Sequence, residues 1–224
     1  MFIFLILFPL TVGILPNLFP FELNWAVLST IIVLAALGMF FSDFEKRQTN
    51  VRKLTLLTTL AALGAAGKVP FAALMSFQPT MFIAMITGYV FGPKAGFLVG
   101  ALAVFTANFF IGQGLWTPWQ MFAMGLAGAS ASFLTGKQKQ FRHKIFSAFC
   151  FGWGFFYGWI MNFWHWVGFV YPLSINSFLA TYLASFSFET VRALGNLLFS
   201  LLLGRSFYEI LVRFRKKVVQ QPLV

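Results

Sequence analysis

Acidic side chains are almost missing. Five Asp and Glu stand against sixteen Lys and Arg in 224 residues, and charged residues make up only 9% of the chain. A soluble domain carries about 25% charged residues, so a chain this poor in charge has the bilayer as its solvent. Cysteine is also scarce: Cys150 alone excludes an internal disulfide and any cysteine-built metal cage. A phosphate-binding loop is lacking. The nearest stretch, Gly64-Ala65-Ala66-Gly67-Lys68, misses the spacing, the Ser/Thr and the preceding strand, so the chain does not itself hydrolyse ATP. There is no carboxylate pair, no His/Glu metal pattern and no Gly-x-Ser-x-Gly elbow, so no catalytic residue, metal or cofactor is expected. The net charge of +11 could point to nucleic acid. Its cations flank apolar stretches with no folded module behind them, which excludes that reading. The N-terminus has no basic leader or clear small-residue cleavage site, and is taken as part of the mature protein.

What is present is hydrophobic: 59% apolar residues and a mean hydropathy of +0.83. The length has room for about six to eight spans at ~20 residues each. An N-terminal hydrophobic hairpin occupies 1–42, from segments 2–15 and 24–42, the first broken by Pro9. A charged loop follows at 43–53, then a six-helix core at 54–215 and a basic tail at 216–224. The expected core spans are 54–75, 80–91, 94–111, 117–135, 145–170 and 178–204. Counting Lys and Arg on alternate loops sets the orientation. Fourteen fall on one side, in 43–53, at Lys94, in 137–144 and between Arg205 and Lys217, against Lys68 alone on the other. The positive-inside rule then makes both termini cytoplasmic in a multi-pass plasma-membrane protein.

The stretch from Tyr89 to Phe133 has the densest signals. Gly92, Gly96 and Gly100 recur every fourth residue, a small-residue face that lets helices approach closely in lipid. The turn Gly112 to Gln120 is richer in polar and aromatic groups than a connector requires. Trp116, Trp119, Trp164, Trp166 and Tyr171 fall near the outer side, where an aromatic belt is the default explanation. Their neighbours Gln78, Asn108, Gln113, Gln120, Asn162 and Asn176 favour a shared outward-facing pocket with apolar walls and polar anchors. His165 is either a pocket group or a satisfied histidine of the bundle. Glu189 and Arg192 lie mid-span, three residues apart on one face, and are expected to form a buried ion pair. Ala61-x-x-x-Ala65 and Ala62-x-x-x-Ala66 make a smooth helix surface, a pattern common in any membrane bundle.

The segments LAALGAAGK (60–68), VPFAALMSFQPT, YVFGPKAGFLVGA, NFFIGQGLWTPWQMFA and FETVRALGNLLFSLLLGR are similar to those of a known family. Over roughly 52–215 the chain resembles the substrate-binding S component of an energy-coupling factor (ECF-type) vitamin transporter. The resemblance implies an all-α fold of six membrane helices. It implies that Ala61, Ala62, Ala65 and Ala66 dock on a transmembrane coupling subunit driven by two ATPase subunits. Substrate is then expected outside, beneath the loop after the first helix and among the last three helices. The candidate contacts are Gln78, Asn108, Gln113, Trp116, Trp119, Gln120, Asn162, His165, Trp166 and Tyr171. The N-terminal hairpin lies outside the six-helix pattern.

Among the vitamins such subunits take up, cobalamin is the expectation. The outer half of the core offers rings and carboxamides, with Lys68 as its clear cation and no carboxylate. A large amide-rich ligand of low net charge suits that better than thiamine or biotin. Three other readings stay open: an S component for another micronutrient, a stand-alone facilitator, marked by uptake without an ATPase partner, and a membrane enzyme or assembly factor using His165 and Glu189.

Overall fold

The computed structural model describes residues 25–45, 51–74, 76–135 and 140–220. Among these the secondary structure is entirely helical. The elements are α1 (Trp25–Glu45), α2 (Val51–Lys68), α3 (Thr80–Phe91), α4 (Pro93–Ile111), α5 (Thr117–Ser130, continued by a 3-10 turn at Ala131–Leu134), α6 (His143–Phe169) and α7 (Ile175–Gln220). The first hairpin segment, 2–15, lies outside the described residues, as do Lys46, Arg47, Lys137, Lys139 and 221–224. Among the described residues one helix, Pro93–Ile111, is both long and apolar enough by itself to cross a membrane. Thr30–Ser42 and Thr80–Phe91 are apolar and shorter.

Local chemistry sets the breaks. α2 stops at Lys68, short of the expected 75, because Pro70 has no N–H to continue the ladder. The loop 69–79 then folds back: a Cβ on Gly67 would stand 2.7 Å from the Pro79 ring. Gly92 has a φ of +93°, which favours glycine, and Pro93 starts α4 at a position where its missing N–H is harmless. Gly92 is therefore a turn residue, with nothing near where its Cβ would be. The close helix approach belongs to its neighbours. Gly88 on α3, Gly96 on α4 and Gly128 on α5 meet backbone to backbone, and Gly100 does the same against Met124. Any side chain at these glycines strikes a carbonyl, so the three helices form the densest part of the bundle.

α6 and α7 pack antiparallel along most of α6. Gly154 lets Ala193 approach, and Gly158 leaves room for the Glu189 side chain. α7 has 46 residues, which at 1.5 Å each is ~69 Å, well beyond the ~40–45 Å of a whole bilayer. Its far end is pinned to the bundle, where Tyr208 stacks on Phe141 at 4.7 Å and Arg215 Nη1 donates to the Val90 carbonyl at 2.9 Å. That guanidinium satisfies an open carbonyl at the end of α3 and suits the helix dipole there. α1 packs against α5 and α6: Val33 and Leu37 are buried, and Phe40 lies 4.1 Å from Phe97.

Candidate functional site

The chain buries three kinds of surface at the end of the bundle where Lys68, Trp116 and Phe169 lie. The first is a closed polar network. Lys68 Nζ donates to Asn108 Oδ1 at 2.8 Å. Asn108 Nδ2 donates to Thr117 Oγ1 at 3.1 Å and to Gln120 Oε1 at 2.9 Å. Thr117 Oγ1 donates to Gln113 Oε1 at 2.9 Å, and Gln113 Nε2 to the Phe105 carbonyl at 3.1 Å. These residues come from the ends of α2, α4 and α5, and their polar atoms are taken up by one another. The network is a strap that ties three helix ends, and so carries three predicted contacts, Asn108, Gln113 and Gln120, into bonds within the protein.

The second surface is aromatic. Trp119 and Trp166 are 3% and 2% exposed. Trp119 Nε1 donates to Thr30 Oγ1 at 3.3 Å, and Trp166 Nε1 to Ser177 Oγ at 3.0 Å. Between α5, α6 and the start of α7 runs a groove of about 840 Å³ walled by Trp119, Phe122, Trp153, Phe163 and Phe178. Its walls are almost wholly apolar, and the hydroxyls that line it, of Ser130 and Tyr182, donate to the backbone carbonyls of Ala127 and Trp159.

The third is a polar cluster deep between the 69–79 loop, α6 and α7. Glu189, 2% exposed, accepts at Oε1 from Asn162 Nδ2 at 2.6 Å and from Ser185 Oγ at 2.9 Å. Arg192 Nη1 donates to the Gly154 carbonyl at 3.2 Å, Nη2 donates to Ser76 Oγ at 3.3 Å, and the guanidinium lies 4.8 Å from the Tyr157 ring centre. Its Nε is buried without a partner. Ser76 has φ +72°, uncommon for a residue with a side chain, and this turn brings its hydroxyl to Arg192. A carboxylate, a guanidinium, a carboxamide, two hydroxyls and a phenol ring thus converge where a polar group is expensive to bury.

The expected ion pair is a correction. No salt bridge joins Glu189 and Arg192; Arg205–Glu209, further along α7, is an exposed ion pair. Glu189 turns into the space above Gly158 towards Asn162, while Arg192 reaches the loop. The carboxylate bonds to Asn162 and Ser185 and the guanidinium to Gly154 and Ser76, so the two are neighbours in a network and not a direct pair.

Other predicted residues scatter. Trp116 is 41% exposed and Tyr171 67% exposed. His165 is exposed and stacks on Phe169 at 5.7 Å, and Gln78 is half-buried in the loop. Asn162 alone of the ten predicted contacts enters the deep cluster. Ser76, Tyr157 and Ser185 were missed. The available signal was the spacing Ser185, Glu189, Arg192, Asn196, one helix face inside an apolar run. The alanine quartet also divides. Ala61 and Ala65 are 3% and 4% exposed and face the bundle, whereas Ala62 and Ala66 are exposed beside Thr58, Thr59 and Leu63. A 3.6-residue period puts adjacent alanines about 100° apart, so both pairs cannot share one outward face.

The family model of the ECF-type riboflavin transporter S component matches residues 48–213. The match begins just before α2 and takes in all six helices from α2 to α7, leaving α1 outside. It gives no support to cobalamin. No curated protein and no solved structure matches the chain.

Proposed function

The chain belongs to the family of ECF-type riboflavin transporter S components, and from that premise we propose that it is the flavin-binding membrane subunit of an ATP-driven vitamin importer. The observation that carries the reading is the deep cluster of Ser76, Tyr157, Asn162, Ser185, Glu189 and Arg192, inside the matched segment. Riboflavin is a planar aromatic ring system with a donor–acceptor imide at one edge and a hydroxylated chain. Arg192 and Asn162 offer donors, Glu189 an acceptor for a hydroxyl or N–H, and Tyr157 a ring face. Cobalamin, the expectation from the sequence, is a much larger solute, and the family match gives it no support.

As the family implies, the subunit works with an ECF module of coupling and ATPase subunits and has no ATP site of its own. We assign docking to the exposed half of the alanine face, Ala62 and Ala66, since a smooth strip free of bundle contacts suits close packing with a partner helix. The orientation follows the basic residues, with α7's end and Lys144 in the cytoplasm and Lys68 and the 69–79 loop outside. The test is uptake of labelled riboflavin into vesicles holding this subunit with and without an ECF module. ATP-dependent uptake only with the module is expected. Uptake by the subunit alone would favour a facilitator, and uptake of cobalamin in place of riboflavin would restore the other substrate.

A further inference from the structure

The apolar groove between α5, α6 and the start of α7 is separate from the deep cluster. Phe156 and Ile160, which line it, stand two residues either side of Gly158, and two residues turn a helix by about 200°. The groove and the Glu189 notch therefore lie on opposite faces of α6. Its floor is Trp119, Phe122 and Phe163, all buried, and its rim is open: Phe133, Phe156 and Trp159 are 85%, 52% and 45% exposed. The lining runs from Phe149 to Phe163 on α6 and from Trp119 to Phe133 on α5. At 1.5 Å per residue either run is roughly 21 Å long, parallel to its helix. α6 packs along α7 over most of its length and touches α5 far less, so the rings leave a cleft in place of a helix contact.

One end of this cleft has a positive mouth. Thr135 Oγ1, just past Phe133, donates to the Tyr89 carbonyl at 3.0 Å, and the Arg142 N–H donates to the Tyr89 hydroxyl at 3.3 Å. Tyr89 thus gathers the end of α5 and the start of α6. Arg142 and Lys144 are exposed there, within about two turns of Phe149. In the orientation proposed above this mouth is cytoplasmic. The hydroxyls of Ser130 and Tyr182 donate to backbone carbonyls and so offer no proton to a solute. An occupant must be apolar along its length, able to enter from the side, and anionic at one end. A bilayer phospholipid has that form. The hydrocarbon of one leaflet is about 15 Å deep, so an acyl chain fills most of the groove while its phosphate reaches the basic mouth. We propose that the α5–α6 groove binds a resident phospholipid of the cytoplasmic leaflet with a net negative headgroup, its acyl chain between the two helices and its headgroup at Arg142 and Lys144. The lipid fills the cleft from the bilayer side and leaves the cluster across α6 free for substrate.

Native mass spectrometry of the full chain in detergent tests this, with phosphatidylglycerol and phosphatidylcholine of identical acyl chains as probes. The unaltered protein is expected to retain one lipid and to prefer phosphatidylglycerol about ten-fold or more, since each cation beside an anionic headgroup is worth about five-fold. Arg142→Gln should cut that preference about five-fold and leave the phosphatidylcholine level unchanged. Leu126→Trp, which puts an indole into the groove, should abolish retention of both lipids, whereas Leu202→Trp on the exposed face of α7 should not alter it. Arg142 is exposed, so its variant tests the site even where Leu126→Trp does not fold. Benzoylphenylalanine in place of Phe156, photo-activated in the same samples, should capture the lipid. No lipid retained by the unaltered protein, or equal retention by folded Leu126→Trp, overturns the site. Equal retention of the two lipids overturns the headgroup assignment. Capture of residues 1–24 of the same chain, or of a second copy, shows another occupant and overturns the lipid. None of these measurements uses riboflavin, so the lipid site stands or falls apart from the flavin reading.

Discussion

Replacing Gly158 by alanine tests the deep cluster through a single methyl group. On helix propensity alone the change should help, by up to ~1 kcal/mol. At this position a Cβ would stand 2.7 Å from both Glu189 Cδ and Oε1, closer than carbon and oxygen can approach. The carboxylate must move, and its bonds from Asn162 at 2.6 Å and Ser185 at 2.9 Å must stretch or break. Hydrogen bonds to a charged group contribute about 1.5–3 kcal/mol each, so losing both amounts to roughly 3–6 kcal/mol. The Glu189 side chain can swing and recover part of this, so a net loss of about 2–4 kcal/mol is expected after the propensity gain. Gly152, on the same helix, is the control, since nothing lies within 4 Å of its Cβ position. Gly152→Ala should be neutral or slightly stabilising. The assays are thermal unfolding in detergent and riboflavin titration of both variants. A loss of ~2 kcal/mol at the binding site weakens affinity about thirty-fold. If Gly158→Ala unfolds no earlier than Gly152→Ala and binds riboflavin as tightly as the unaltered chain, the placement of Glu189 is wrong.

Three further expectations follow from the packing. Ala62→Trp with Ala66→Trp should retain substrate binding and lose assembly with an ECF module on co-purification, whereas Ala61→Trp should lower the unfolding temperature of the isolated subunit, because Ala61 is 3% exposed. Asn108→Leu strands the Lys68 ammonium that it now meets at 2.8 Å, and should destabilise by about 2–4 kcal/mol; Lys68→Met with Asn108→Leu, measured in the same melts, should be the milder change. Arg192→Lys keeps the charge but not the fork that spans Ser76 and Gly154, so riboflavin affinity should fall roughly ten-fold or more while Arg205→Lys, at the exposed pair, leaves it unchanged.

The helical architecture was legible because apolar runs and their breaks are local signals. Gly92-Pro93 marked a helix junction, Thr117-Pro118 a helix start, and the six core elements appear in the expected order. The α2 end was misread because alanine, glycine and apolar residues continue past Lys68, and only Pro70 marks the loop. Which alanine pair faces outward was not readable from the motif, since both fit the same spacing and burial is decided by α4 and α3 packing. The site was half legible. Asn162, Glu189 and Arg192 stood out as polar groups in apolar spans, but their partners depended on two features that no local pattern encodes: the loop turning at Ser76, and the notch at Gly158. The carboxamides near the 112–120 turn looked like ligands because their mutual hydrogen bonds cross between helices 9–40 residues apart in sequence.

The central claim is that this subunit binds a flavin at the Asn162–Glu189–Arg192 cluster, and equilibrium binding tests it most directly. Riboflavin fluoresces, so titrating purified protein into a fixed flavin concentration gives the affinity without a label, with cobalamin as competitor. Saturable quenching with a Kd of about 1 µM or tighter is predicted, equivalent to roughly −8 kcal/mol or better, weakened by Asn162→Leu and by Arg192→Lys and unaffected by excess cobalamin. Unquenched riboflavin in the presence of folded protein, or quenching that cobalamin abolishes, would contradict it.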